Sequence, residues 1–359
     1  LYLEGWASVP EIPQLEKALV KFDCAWELEE PEEEEYPNVP VELRNSRLVR
    51  PLNMVTEMYS LPAYGGVDPN PLIAPFFIVF YGMMMADMGY GLIMMLASAV
   101  IMKKSRPNGA TMRYMIPLLG LCGISTFIWG ALTGGFFGDL IPQIRGLLTG
   151  IDPASVSLWK LFDPLEDAIP VLIGSLVLGA IQVVTGMIVS MYMKIKRGSA
   201  MDALCGEGAW FLAFAVIGAG FAVGKLTWGL IGALVILAVA NAYGKKGFGI
   251  ITGVFGALYN GITGYFSDIL SYSRLMALML AGAVVAQVFN QLGAMTGNIV
   301  FFIVIALLGN AINFALNILG CYVHDMRLQC LEFFGRFYED GGKPFRPLNI
   351  NTKYVDIEK

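Results

Sequence analysis

Residues 266–290 read FSDILSYSRLMALMLAGAVVAQVFN. The run is apolar enough to lie in a bilayer, yet Arg274 sits inside it. An arginine at the bilayer centre costs roughly 2.5–3.5 kcal/mol on insertion scales, so it is kept only where protein or a wet path covers it. The rest of the 359-residue chain points to the same solvent. It is 56% apolar and 15% charged, where a soluble domain has roughly 45–50% and 25%. Its charges crowd into residues 1–50, residues 325–359 and short loops between. The expected fold is an all-α polytopic membrane protein with a small α+β cytoplasmic piece.

The opening LYLEGWASVPEIPQLEKALVKFDCAWELEE reads as strand, helix from about Glu11 to Val20, then strand, the end of a larger soluble domain. Residues 1–70 are expected to be that domain end and a linker, 71–338 the membrane domain, and 339–359 a cytoplasmic tail. The acidic run ELEEPEEEEY (27–36) fits a solvated linker better than a cation site. The five cysteines show no metal-ligand spacing and read as reduced thiols.

Apolar spans fall at about 72–102, 112–138, 166–193, 207–223, 226–243, 249–293 and 298–331. Lys and Arg gather in the loops 103–113, 194–198 and 244–247, which marks those loops as cytoplasmic. Both termini can then be cytoplasmic only if 72–102 is a hairpin of two short helices turning near Asp87 to Gly91. Eight membrane helices result. The run 249–293, at 45 residues, would be ~67 Å long as one helix. It and the last span are therefore two long tilted helices, unless Gly253, Gly256, Gly261 and Gly264 break the first of them.

On the last span Asn310, Asn313, Asn317, Gly320, His324 and Arg327 share one helix face. On the penultimate span Asn260, Thr263, Ser267, Ser271 and Arg274 do the same. Interhelix hydrogen bonding alone could account for Ser, Thr and Asn in a membrane, but it does not call for two arginines. The other reading is a polar half-path ending at a fixed positive charge. Arginine stays protonated and offers five donors, which makes it a counter-charge for a carboxylate. Two unit charges 4 Å apart gain roughly 4 kcal/mol at an effective dielectric of 20, enough to change a carboxyl's proton affinity about a thousandfold. With no partner carboxylate deep in the last two spans, that carboxylate is expected on another subunit. Gln287, Asn290 and Gln291 would line an outer vestibule or face water, Asp87 would cap a helix turn, and Asp139 would anchor a loop.

Four stretches resemble a known family. PFFIVFYGMMMADMGYG (75–91) resembles the first membrane motif of subunit I of V/A-type ATPases, the equivalent of the vacuolar a subunit. SDILSYSRLMALMLAGA (267–283) is similar to its arginine segment, and HDMRLQCLEFFGRFYEDGGKPFRP (324–347) to its ending. LEGWASVPEIPQLEKAL (3–19) looks like the end of its cytoplasmic domain.

The resemblance implies a stator subunit of a rotary ATPase in a prokaryotic plasma membrane. Its implied partners are a proteolipid c-ring with membrane carboxylates, peripheral stalk subunits, and the central rotor with the V1/A1 ATPase sector. The transported ion would be H+ or Na+, with no cofactor and no nucleic acid. By the same resemblance Arg274 matches the family's essential arginine and Arg327 its second, with His324 and Glu332 near the cytoplasmic mouth. Asp268 falls where the vacuolar form has a histidine, Asn260 and Asn317 where it has glutamates, and Gly282 where it has another histidine. Ser267, Ser271, Thr263, Asn310, Asn313 and Gln287 complete the expected ion path. The chain has no GxxxxGK[ST] loop, so nucleotide chemistry would lie elsewhere in the complex. The alternatives are a self-contained secondary transporter whose arginines bind an anionic substrate, and a purely structural anchor for a cytoplasmic complex.

Overall fold

The computed structural model describes residues 2–32, 34–104, 110–150, 160–242 and 249–346. The chain divides into two compact units, Leu1–Pro71 with Tyr338–Lys359, and Leu72–Phe337.

In the first unit the helix expected at 11–20 is present as α1 (Ile12–Leu19). The strands expected on either side of it are not formed. A strand needs a neighbour for its backbone groups, and among the described residues nothing pairs with 2–8 or 22–31. The sheet lies elsewhere, between β1 (Pro40–Val41), β2 (Leu61–Pro62) and β3 (Asp340–Pro344) in the order β1-β3-β2. β3 runs parallel to β1, pairing Lys343 with Pro40, and antiparallel to β2, pairing Gly342 with Leu61. Residues 340–344 thus pair with the N-terminal segment. Before β2, α2 (Asn53–Tyr59) is tied down by Thr56 Oγ1 donating to Asn70 Oδ1 at 2.5 Å.

The second unit is a helix bundle. It opens with α3 (Asn70–Met85) and α4 (Met88–Lys104), the two short arms expected from loop charge. There follow α5 (Ala110–Thr133), a further short helix α6 (Leu140–Thr149) absent from the expected set, and α7 (Ala168–Lys196). The single turn α8 (Ala200–Ala203) leads to the pair α9 (Ala209–Ala222) and α10 (Leu226–Ala242). The chain then runs through α11 (Gly249–Ser271), α12 (Ser273–Ala294) and α13 (Ile299–Arg327). A π turn at Leu328–Phe333 carries it into α14 (Phe334–Phe337).

Among the described residues, four helical stretches are long and apolar enough to cross a membrane: Met112–Thr133, Ala168–Lys196, Tyr259–Ala294 and Ile299–Phe337. Helix α7 shows why the bundle suits lipid. Its buried stripe carries Ser175, Gly179, Gln182, Gly186 and Ser190, while Ile169, Ile173, Val177, Ile181, Ile188 and Ile195 are exposed. Small and polar residues inside with branched apolar residues outside is the arrangement of a helix whose solvent is hydrocarbon.

The long run 249–293 does break, but not at a glycine. The break falls at Tyr272, where Tyr272 N–H donates to Ile269 O (3.1 Å) and Leu275 N–H to Tyr272 O (3.0 Å). These three-residue bonds tighten the turn locally. Tyr272 is fully buried, with its ring edge-on to Phe80 of α3 at 5.7 Å. On α7, a Cβ at Gly179 would lie 2.2 Å from the Tyr272 ring, so only glycine admits that ring.

Candidate functional site

The turn between α3 and α4 organises one end of the bundle. Asp87 is buried and its carboxylate accepts four backbone N–H bonds. Oδ1 takes Gly89 (2.8 Å), Tyr90 (3.2 Å) and Phe137 (3.0 Å), and Oδ2 takes Gly138 (2.8 Å). Two of the four donors cap the start of α4, and the other two come from the loop after α5. That loop holds Phe137 at φ 48°, and Ala86 sits at φ 29° in the turn. Both are non-glycine residues in the left-handed region, which persists only when surrounding contacts enforce it. Asp87 is therefore a clasp as well as the expected cap.

Tyr90, one turn into α4, donates its hydroxyl to Asn310 Oδ1 (2.8 Å) and accepts from Asn313 Nδ2 (3.0 Å). Asn313 also donates to Gly282 O (3.0 Å), and Asn310 to Asn290 Oδ1 (3.0 Å). Asn290, buried rather than facing water, donates in turn to Phe137 O and to Asp139 Oδ1. Asp139 is thus a loop anchor, as expected. Asn310 and Asn313 join α13 to α12 and α4, so at this level the hydrogen-bonding reading of the last-span stripe holds. Asn317 is half-buried, donating to Asn313 Oδ1 (3.1 Å).

Beside this network lies a cavity of about 610 Å³. Gly282, Ala283, Gln287 and Gln291 of α12 line it, together with Asp87, Thr133, Asp139 and Gln143. Lys160, Asp163 and Glu166 complete its lip. The volume holds roughly twenty waters at ~30 Å³ each. Lys160 donates to Asp163 at 2.8 Å. The lip is fastened to the end of α5 by Leu161 N–H donating to Leu132 O (2.8 Å) and by the Phe162 ring against Trp129. Gln287 and Gln291 therefore line a half-open space of mixed polar and apolar walls.

Toward the other end, the α12 start meets the α13 end. Arg274 lies in electrostatic reach of Arg327 and Glu332, and His324 in reach of both arginines. Ser271 also lies close to the Glu332 carboxylate. Three atoms here are buried with no hydrogen-bond partner among the described residues: Arg274 Nη1, His324 Nδ1 and Glu332 Oε2. Leaving such a group unpaired costs about 1–3 kcal/mol, more when it is charged. The cluster is chemically unsaturated, with a guanidinium donor to spare.

Several expected path residues lie elsewhere. Asp268 is paired with Arg336 of α14, not with Arg274, and the Arg336 guanidinium also stacks 4.2 Å over the Tyr265 ring. Asn260, Thr263 and Ser267 are exposed on α11, and Thr263 Oγ1 spends its proton on Tyr259 O at 2.6 Å. The two stripes therefore do not face each other as matched halves. The break at Tyr272 divides the first, and packing buries the upper part of the second. Two carboxyl groups at and just beyond the end of the last span are buried. Asp325 is fully buried and Glu332 nearly so. The sequence clue to Asp325 was its place beside His324, masked because it falls one step off the polar stripe.

No family model matches the chain. Over 99% of its length it is similar to the A-type ATP synthase subunit I of Methanocaldococcus jannaschii, at 34% identity, and of Thermococcus kodakarensis, at 31%. The V-type ATP synthase subunit I of Chlamydia pneumoniae aligns over 99% of the chain at 24% identity. These alignments cover 56%, 55% and 61% of the three proteins, so the chain spans about half the length of the curated relatives it matches.

Proposed function

We propose, from a chain whose homologues over nearly its full length are subunit I of A-type and V-type ATP synthases, that it is the ion-conducting part of such a stator subunit. The observation that carries this reading is Arg274 Nη1, a buried cationic donor without a partner among the described residues. A ring of proteolipid subunits with membrane carboxylates supplies the missing acceptor. Arg274 favours the ionised carboxylate as it passes, and so expels H+ or Na+. Peripheral stalk subunits hold the chain still while the central rotor and the ATPase sector turn the ring. No nucleotide chemistry falls to this chain.

The two half-paths are offset along the arginine helix. The cavity at Gly282, Gln287 and Gln291 serves one side. Apart from the clasped Asp87, its lining carries Asp139, Asp163 and Glu166 against Lys160, a balance that gathers cations. Ser271, His324, Arg327 and Glu332 serve the other side, the cytoplasmic mouth. Gly282 is eight residues from Arg274, ~12 Å along a helix, so an ion needs the moving carboxylate to pass from one path to the other. Arg274 blocks a direct leak. The short arms α3 and α4 cross with the four long stretches and α9 and α10 to make eight spans. Both termini are then cytoplasmic, at a prokaryotic plasma membrane.

The deciding experiment is ATP-driven ion uptake in vesicles carrying the whole complex, with Arg274→Gln beside wild type and assembly measured on the same preparations. Assembled complex without uptake supports the stator charge. Uptake at the wild-type rate removes it, and transport by the purified chain alone would instead favour a secondary transporter.

A further inference from the structure

We infer that a buried chain of hydrogen bonds, Tyr272–Gln182–Gln329–Asp325, holds the guanidinium of Arg274 in register. The four are positioning residues, an assignment that rests on the ion-translocation reading above. All four are fully buried. The Tyr272 hydroxyl donates to Gln182 Oε1 (2.9 Å), Gln182 Nε2 to Gln329 Oε1 (2.5 Å), and Gln329 Nε2 to Asp325 Oδ1 (3.2 Å). Every donor points the same way, from the joint between α11 and α12, through α7, to the end of α13.

The place of this chain gives it a task. Tyr272 sits in the one irregular turn of the penultimate span, two residues before Arg274, and a helix axis pivots where its bonds are irregular. Phe80 and the Gly179 notch pin the ring sideways, but apolar packing is non-directional and leaves rotation of the joint free. The hydroxyl supplies the directional restraint. At the far end Gln329 lies in the π turn that also carries Glu332, whose carboxylate lies in reach of Ser271 and Arg274. One tether thus references the start of α12 to the segment that forms the rest of the cluster. Buried links of this kind act as a unit, because breaking one leaves its neighbours unpaired in an apolar interior.

Asp325 ends the chain as an acceptor, with no Lys, Arg or His paired to it among the described residues. Its Oδ1 needs only to accept, which an asparagine oxygen also does. That yields a pattern no general loss of stability reproduces. Tyr272→Phe keeps the ring and cuts the first link. Gln329→Met keeps length and cuts the middle, and Asp325→Leu cuts the last. Asp325→Asn keeps all of them.

The test uses the whole complex in vesicles, with ions moved per ATP hydrolysed and passive ion leak without nucleotide both scaled to assembled complex. A misplacement near 1 Å at a reacting group costs up to about a hundredfold, so the three link-cutting variants are expected to lose roughly tenfold in coupled uptake. Asp325→Asn should stay within about twofold. Tyr272→Phe with Asp325→Leu should be no worse than either alone, since residues of one unit are not additive. Wild-type coupling per complex in both Tyr272→Phe and Gln329→Met overturns the inference, as does Asp325→Asn failing as badly as Asp325→Leu. Arg274→Gln run alongside separates the two levels. If it keeps uptake, the ion reading falls. If it loses uptake while the link-cutting variants do not, only the tether falls.

Discussion

Replacing Asp87 tests whether it clasps the fold or carries an ion. Its carboxylate serves four backbone N–H groups, three on Oδ1 and one on Oδ2. Asp87→Ala strips all four of their acceptor. At about 1 kcal/mol for each bond lost, the cost is about 4 kcal/mol, and removing the side chain also frees Ala86 and Phe137 from their left-handed conformations. Asp87→Asn is milder. The amide oxygen keeps the three bonds at Oδ1, and only Gly138 N–H loses its acceptor, meeting an NH2 instead, for about 1–2 kcal/mol. The assay is denaturant unfolding of the purified chain in mixed micelles, followed by far-UV signal and by proteolysis at the 134–139 loop. A graded result is expected: wild type, then Asn, then Ala, with ion uptake by assembled Asp87→Asn complex unchanged. Equal stabilities for all three would refute the clasp. A fully stable Asp87→Asn complex that moved no ions would show that the carboxylate carries the ion.

Three further outcomes follow from the packing. Tyr90→Phe leaves Asn310 Oδ1 and Asn313 Nδ2 each one partner short, a loss of about 1–2 kcal/mol for two interhelical bonds, read in the same unfolding assay. Gly179→Ala forces a methyl to within 2.2 Å of the Tyr272 ring and should cost about 1–3 kcal/mol. On the same helix Gly174→Ala meets nothing within 4 Å and should be neutral or gain up to about 1 kcal/mol; equal effects at the two sites would refute the close crossing. At the cavity lip, burial raises the Asp163 carboxyl, but the Lys160 hydrogen bond and the Leu165 N–H hold it below the usual range overall, while the Asp163 bond raises Lys160. The carboxyl's contribution is present above its unfolded value of about 3.9 and is lost as pH falls through the lower folded one. The lysine's is complete below about 10.4 and is lost only as pH rises past its raised folded value. Hydrogen exchange of the Leu161 amide, corrected for intrinsic rate, should therefore be flat from about pH 5 to 9; a step inside that window would contradict the pairing.

Composition and periodicity carried most of the architecture. A bilayer segment must bond its own backbone and cover its charges, so apolar length, basic loops and charge placement were enough to indicate membrane-capable helices and the short hairpin at Asp87. Helical spacing also put His324 and Arg327 on one face. What spacing cannot carry is which neighbour covers a face. Asn313 and Arg327 share a stripe, yet Asn313 is buried against Tyr90 and Gly282 O while Arg327 is exposed. Asp268 sits a turn and a half from Arg274 in sequence, yet it pairs with Arg336, 68 residues away. The break at Tyr272 is equally invisible locally, because tyrosine does not break helices; the notch at Gly179 and the partner at Gln182 hold it there. Local pattern fixes periodicity and solvent preference, whereas pairing across helices depends on side chains that meet only when the bundle is packed.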